Sequence, residues 1–318
     1  MKYNIWYESE GAFWPLYLIR DEMANLIFKK EAEVYLVHGT LKYRIDISEI
    51  SFSQSFQEKS YAVKTLHNQS GFEGSSINMA NPAEFSFNTP LLEELRHKVV
   101  VDRLLDYATF DLYISNKQDV FKLEKCVIQD GTFEINKSRP LRLTISGEAS
   151  KLSKFSDAVN VVAIPGTLQT GSAYDTTTYI VPKIDTLSMG GVDISDGVRS
   201  LGIEVQNDIE WNNYTTIQGS VAATNASTSM FPSNFTVGTR VVAGAITRYI
   251  KDSPDLLTWD TNAALVLKAG TVGSFKGVSF DFNCSFTNRL QDSEVYLEEY
   301  SWRMIERPTA LSSVITYT

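Results

Sequence analysis

The stretch Asp119-Val120-Phe121-Lys122-Leu123-Glu124-Lys125-Cys126-Val127-Ile128, with Gly131-Thr132-Phe133-Glu134-Ile135 close behind it, decides the fold class. Apolar side chains recur in it with a period near two, the pattern that buries one face of a strand and leaves the other in water. On either side lie Phe110 to Ile114 and Leu141 to Ala149, which have the same character. Short Asn- and Asp-containing turns are expected between these strands, one of them between Ile128 and Gly131. The region reads as an antiparallel meander.

Upstream, Glu33-Val34-Tyr35-Leu36-Val37 and Tyr43-Arg44-Ile45-Asp46-Ile47 flank His38-Gly39-Thr40, and a hairpin turning at Gly39 is the simplest account. From Ser51 to Thr89 the chain turns to Ser, Gln, Asn and Gly, with Phe52, Phe56 and Phe72 interspersed. That is too long for an ordinary connection, so the segment is expected to be an arm whose aromatics order against a neighbouring subunit. Ala83 to Phe87 is strand-like within it. A helix is expected next, with Thr89 as cap, Pro90 in the first turn and an apolar stripe from Leu91 to Leu105.

Val161 to Thr178 is rich in Thr, Ser and Gly and reads as a linker. We therefore expect a domain over residues 1–162, a linker over 163–178 and a second domain over 179–318. Beyond the linker, Thr178 to Ile184 and Thr186 to Met189 are expected to flank a turn at Asp185. Further strands are expected at Gly202 to Val205, Ile209 to Trp211 and Arg240 to Thr247. Leu141 to Ala149 and Thr239 to Thr247 each set a β-rich run around a central Gly, an echo that points to a duplicated β-domain. Most of the chain is therefore mainly β with a few helices.

The 318 residues are 43% hydrophobic and 21% charged, the composition of an ordered protein with room for two domains. Net charge is −9, and Lys and Arg form no stripe that would neutralise phosphates, which argues against ordinary nucleic-acid binding. An acidic surface can still serve DNA by repelling it as it passes. Met1 to Tyr17 has no apolar signal core, and no membrane segment is expected anywhere. Cys126 and Cys284 lie in strand-like patterns and read as buried thiols.

No catalytic constellation emerges. His38, His67 and His97 lack metal-ligand spacing, and no nucleophile elbow is present. Gly270 to Gly277 looks superficially like a phosphate loop, but it lacks the Gly-Lys-Ser/Thr ending and reads as a β-turn. Glu93-Glu94 and Glu298-Glu299 are adjacent carboxylates, which diverge on any regular element and read as solvated faces. Trp6, Tyr7, Phe13 and Trp14 suit either an anchor for the N-terminus or a sugar platform. We expect no catalytic, metal or cofactor site, and a protein whose function lies in its surfaces.

Three segments resemble the tail tube protein, or major tail protein, of long-tailed siphophages, in particular the two-domain kind whose tubes are built of trimer rings. They are Ala83 to Thr89 leading into the helix, Leu112 through Val120–Ile128 to Leu143-Thr144-Ile145-Ser146-Gly147, and Pro232 to Thr236 through Ala243 to Asp252. The resemblance covers residues of about 80 to 300 and rests on order and spacing.

It implies two tandem β-sandwich or barrel domains, each flanked by a helix. It also implies inner strands that join between subunits into a channel of stacked homotrimeric, pseudo-hexameric rings. The implied partners are further copies of the chain, the tape measure protein and other tail proteins, with double-stranded DNA passing through unbound. The implied place is the virion tail, assembled in the host cytoplasm. From the acidic balance, Glu148 is a candidate lumenal carboxylate. A baseplate or distal tail hub protein of the same fold and a carbohydrate-binding β-sandwich are the competing expectations.

Overall fold

The computed structural model describes residues 32–62, 73–93, 97–116, 119–137, 139–156, 164–169, 179–212, 230–250, 262–271, 273–292 and 294–318. It is mainly β. The first half of the chain forms β1 (Glu33–His38), β2 (Leu41–Ile45), β3 (Glu49–Ser53), β4 (Phe56–Ala62), β5 (Glu73–Ala80), β6 (Ala83–Pro90), α1 (Lys98–Asp106), β7 (Phe110–Ser115), β8 (Val120–Ile135), β9 (Arg142–Ala149) and β10 (Lys151–Ser156). The rest forms β11 (Thr167–Leu168), β12 (Lys183–Met189), β13 (Val192–Asp193), β14 (Val198–Asn212), β15 (Asn234–Tyr249), β16 (Asn262–Gly270), β17 (Gly277–Gln291), β18 (Leu297–Met304) and β19 (Ile315–Tyr317).

The hairpin of β1 and β2 turns as expected at Gly39, whose φ of +61° is left-handed and costs glycine nothing. Three expected breaks are instead irregularities inside continuous strands. The turn placed between Ile128 and Gly131 is a bulge within β8, Asp185 is a bulge within β12, and the gap before Ile209 is a bulge within β14. A bulge accommodates one extra residue without ending the ladder, so polar turn-forming residues did not mark a turn.

The helix also begins later than expected. Thr89 and Pro90 end β6, and α1 starts at Lys98. Leu91 N–H donates to the Leu141 carbonyl at 2.7 Å, and the Leu91 carbonyl accepts from Ile180 N–H at 3.1 Å. These long-range bonds hold the chain extended where local propensity favoured a turn of helix. His97 then bridges, donating Nδ1–H to the Pro90 carbonyl at 2.8 Å and accepting Asp46 N–H on Nε2 at 3.2 Å.

β8 connects two sheets. Its first part pairs with β7 and β10, and its second part with β9 and β14. The switch falls at Lys125, whose φ of +52° is left-handed and whose N–H is taken by Asp111 Oδ1 at 2.9 Å. The smaller sheet runs β11, β2, β1, β7, β8, β10. In the larger one, eight strands run β3, β6, β9, β8, β14, β15, β18, β17, every neighbouring pair antiparallel. The strands β4 and β5 form a separate hairpin.

The same pairings occur twice. In the first half β1 pairs with β2 and β7, β8 with β7, β10 and β9, and β6 with β3 and β9. In the second half β12 pairs with β13 and β16, β17 with β16, β19 and β18, and β15 with β14 and β18. The counterpart of β9 is therefore β18, and that of β15 is β6. The echo heard between Leu141 to Ala149 and Thr239 to Thr247 linked strands with different places in the topology, a chance likeness of two glycine-bearing strands. Among the described residues α1 is the single α-helix. The interval between β15 and β16, where its counterpart would fall, lies outside the described residues over 251–261.

One apolar core runs beneath both halves, and Phe133 of β8 meets Phe280 of β17 edge-on with ring centroids 5.6 Å apart. The part of the expected linker that is described joins the sheet. Ile164 is buried beside Tyr35, Val37, Tyr113 and Val120, and β11 pairs parallel with β2. The two halves also meet at the C-terminus of α1. There Asn207 Nδ2 donates to the carbonyls of Leu104 (3.1 Å) and Ile128 (3.0 Å), and Arg240 donates to the Leu105 carbonyl at 2.6 Å. Donors placed on the last carbonyls of a helix satisfy orphan acceptors and complement its negative end.

Candidate assembly surface

The eight-stranded sheet has one face on the core and one toward solvent. Residues directly opposite on neighbouring strands share a face. The solvent face can therefore be followed from Glu49, Asn88, Thr144 and Thr132 across to Glu204, Ala243 and Arg303. A parallel row runs Ser51, Ser86, Ser146, Asp130, Gln206. Most side chains in these two rows are small or polar, while Val127, opposite Glu148, is buried against Ile209, Trp211 and Phe235. Its charged members are Glu49, Glu84, Asp130, Glu134, Glu148, Glu204 and Glu299 against Arg142, Arg289 and Arg303, so the face is acidic. Several carboxylates are held by neighbours: Glu134 accepts from Thr144 at 2.9 Å, Asp130 from Ser146 at 3.1 Å and Glu204 from Gln206 at 2.8 Å.

Glu148 lies on β9 within this face, directly opposite Glu84 of β6. Both line a shallow groove of about 250 Å³ with Gln129, Ser51, Ser53 and Ser86. Half-burial pushes the Glu148 carboxyl above the usual carboxylate range. A hydrogen bond from Gln129 works against that shift, and the Glu84 charge adds to it.

The expected arm is shorter than its composition implied. Ser51 to Ser53 belong to β3 and Ala83 to Thr89 to β6, so only the β4–β5 hairpin leaves the sheet. Of the arm aromatics, Phe52 sits in β3 with its ring 5.7 Å from that of Phe121. Phe56 stands at the base of the hairpin, 47% exposed, with its ring 6.5 Å edge-on from Phe231. Phe72 lies outside the described residues, as do His67, Glu94 and the aromatics Trp6, Tyr7, Phe13 and Trp14. The structure brings Phe52 and Glu148 to the same edge of the large sheet, on opposite faces.

Two features escaped the sequence reading. Among the described residues, β3 pairs on one side only, and the Thr287–Gln291 end of β17 pairs only with β18. Among the described residues these are the two open ends of the eight-stranded sheet. Nothing in Arg289-Leu290-Gln291 distinguishes an open edge from any other strand end. The second is Glu298, expected on a solvated face. It is 4% exposed, accepting Arg248 Nε at 2.9 Å and the Tyr300 hydroxyl at 2.7 Å, because it occupies a core-facing position of β18.

Among the described residues no three His, Cys, Asp or Glu side chains gather as metal ligands would, and no helix is long and apolar enough to cross a membrane. Comparison of the sequence with protein-family models matches none, and comparison with curated proteins also matches none.

Proposed function

We propose that this chain is a structural, non-enzymatic subunit that assembles as stacked rings into the hollow tail tube of a long-tailed phage, the conduit through which DNA is ejected. On this reading it is built of two copies of one β-module, and three chains make a pseudo-hexameric ring. Its partners are other copies of itself, the tape measure protein inside the tube and further tail proteins. It is assembled in the host cytoplasm and carried in the virion.

The observation that carries the reading is the eight-stranded sheet itself. It is continuous across both halves, open at both ends among the described residues, and its solvent face carries an excess of carboxylates. A wall of that kind, with seven carboxylates against three arginines, repels a polyanion more than it binds it, so duplex DNA slides past. The open edges are an aggregation hazard in a monomer, and joining them in a closed ring removes the hazard. The resemblance of Ala83 to Thr89, Leu112 to Gly147 and Pro232 to Asp252 to tail tube proteins supports the same assignment.

The test is negative-stain electron microscopy of the protein at rising concentration. Hollow tubes or stacked rings with an open bore are expected. Single rings that never stack would move the assignment to a baseplate or distal hub protein, and particles without a bore would overturn it.

A further inference from the structure

We infer that the free end of β17 adds to the free edge of β3 in a second copy of this chain, antiparallel, with Leu290 opposite Phe52. This deepens the ring reading and rests on it. The argument comes from a junction the chain already contains. Between its halves, β8 pairs with β14 so that Ile135 faces Leu201, Glu134 faces Gly202 and Phe133 faces Ile203. By the repeated pairings, β17 is the counterpart of β8 and β3 that of β14. The same junction can therefore form again between the end of one chain's sheet and the start of another's.

The registers can be matched residue by residue. Cys126 and Cys284 are both buried and sit where each long strand changes partners. Two residues further on, Ile128 faces Gly147, whose neighbour across β6 is Phe85. Phe286 faces Trp302, whose neighbour across β15 is Gly244. In each half an aromatic ring lies over a glycine, with the roles exchanged between strands. A Cβ on Gly147 would come within 2.7 Å of the Phe85 ring, and one on Gly244 within 2.4 Å of Trp302. Counting on from these anchors, Phe133 faces Leu143 and Leu290 faces Glu298, so Leu290 is the counterpart of Phe133. On the other strand, Phe52 faces Phe85 and Ile203 faces Gly244, so Phe52 is the counterpart of Ile203.

Burial separates the two junctions. Phe133 is fully buried where β14 covers it, whereas Leu290 is 57% exposed and has Val295 and Tyr296 exposed beyond it. Phe133 reaches the core of the second half through Phe280. In the first half, the matching space beside β3 is a groove of about 690 Å³, with Ala32, Val34, Ile47, Ile50 and Phe87 on its apolar side and Glu49, Ser51, Ser86, Asn88 and Thr144 among its polar lining. An exposed apolar side chain thus meets the apolar side of a groove, on the edge that its strand would extend. Because the donor and acceptor edges differ, the contact is head-to-tail and propagates until a ring closes.

Disulfide trapping tests the register. In the inferred pairing Ser51 stands opposite Gln291, the places of Gly202 and Glu134 in the internal junction. The double variant Ser51→Cys, Gln291→Cys is expected to give a ladder of cross-linked copies on a non-reducing gel. The two single variants mixed together should stop at a dimer, and the two-residue slip Ser53→Cys, Gln291→Cys should give no ladder. Leu290→Lys is expected to lower the assembled fraction at least tenfold, with the melting of the isolated chain unchanged. Rings or tubes that form without the Ser51–Gln291 cross-link would overturn the edge pairing and leave the tube reading standing. A ladder in particles that have no bore would support the pairing and overturn the tube. Absence of both assembly and cross-link would overturn both.

Discussion

Asn207 is one of the polar side chains that join the two halves. It is buried, and it serves the carbonyls of Leu104 and Ile128 while accepting Arg240 Nε at 2.7 Å. Asn207→Ala leaves those acceptors without a donor, and we expect a loss of about 1–3 kcal/mol in urea unfolding. Glu148 gives a pH-dependent counterpart. Its carboxyl titrates higher in the folded chain than in the unfolded one, so the fold favours the protonated form and loses that advantage as pH rises through the folded value. At neutral pH the charged Glu148 is a cost. Glu148→Gln is expected to raise the melting temperature at pH 7, by on the order of 1 °C. The gain should disappear below the usual carboxylate range, as a pair of melting series at the two pH values would show.

At the scale of elements, alternation identified β1, β6, β7, β8 and β9 from the sequence: β6 and β9 bury one face on the main core, and β1, β7 and β8 bury residues of both faces, with Tyr35, Val37, Tyr113 and Val120 in a second cluster. The pattern overcounted turns. Gln129-Asp130-Gly131 and Asp185 have turn chemistry, yet neighbouring ladders on both sides keep the strand going and absorb the extra residue as a bulge. Thr89 and Pro90 failed as a helix start for a similar reason: the ladder with β9 extends to Pro90, and the bonds to Leu141 and Ile180 follow it. Local signals lost to partners far away in sequence, which a single chain of letters does not display. The left-handed backbone at Lys125 belongs to the same class, since it lies where the β7–β8 ladder shifts register opposite Asp111. Lys125→Val is expected to destabilise the fold by about 1–2 kcal/mol while Lys125→Gly does not, read from paired denaturation curves.

For the whole molecule, the mainly β class and the suspicion of a repeat were legible, and the repeat's real alignment was not. Gly147 and Gly244 misled because each lies under an aromatic ring, but in strands that are not counterparts. Of the residues singled out from the sequence, Glu148 lies on the acidic face and Phe52 on the opposite face of the β3 edge strand. The extent of the acidic face depends on β8 pairing with β14, a contact between halves that composition cannot reveal. That pairing joins two half-sheets into one acidic wall, with β3 at one end and the end of β17 at the other.

The central claim is that this wall faces the inside of a ring, and cryo-electron microscopy of the assembled protein tests it most directly. The account predicts strands continuous around an open bore, with Glu84, Glu148 and Glu204 on its inner surface. An assembly that places those carboxylates on its outer surface, or whose sheets do not join from one copy to the next, would contradict it.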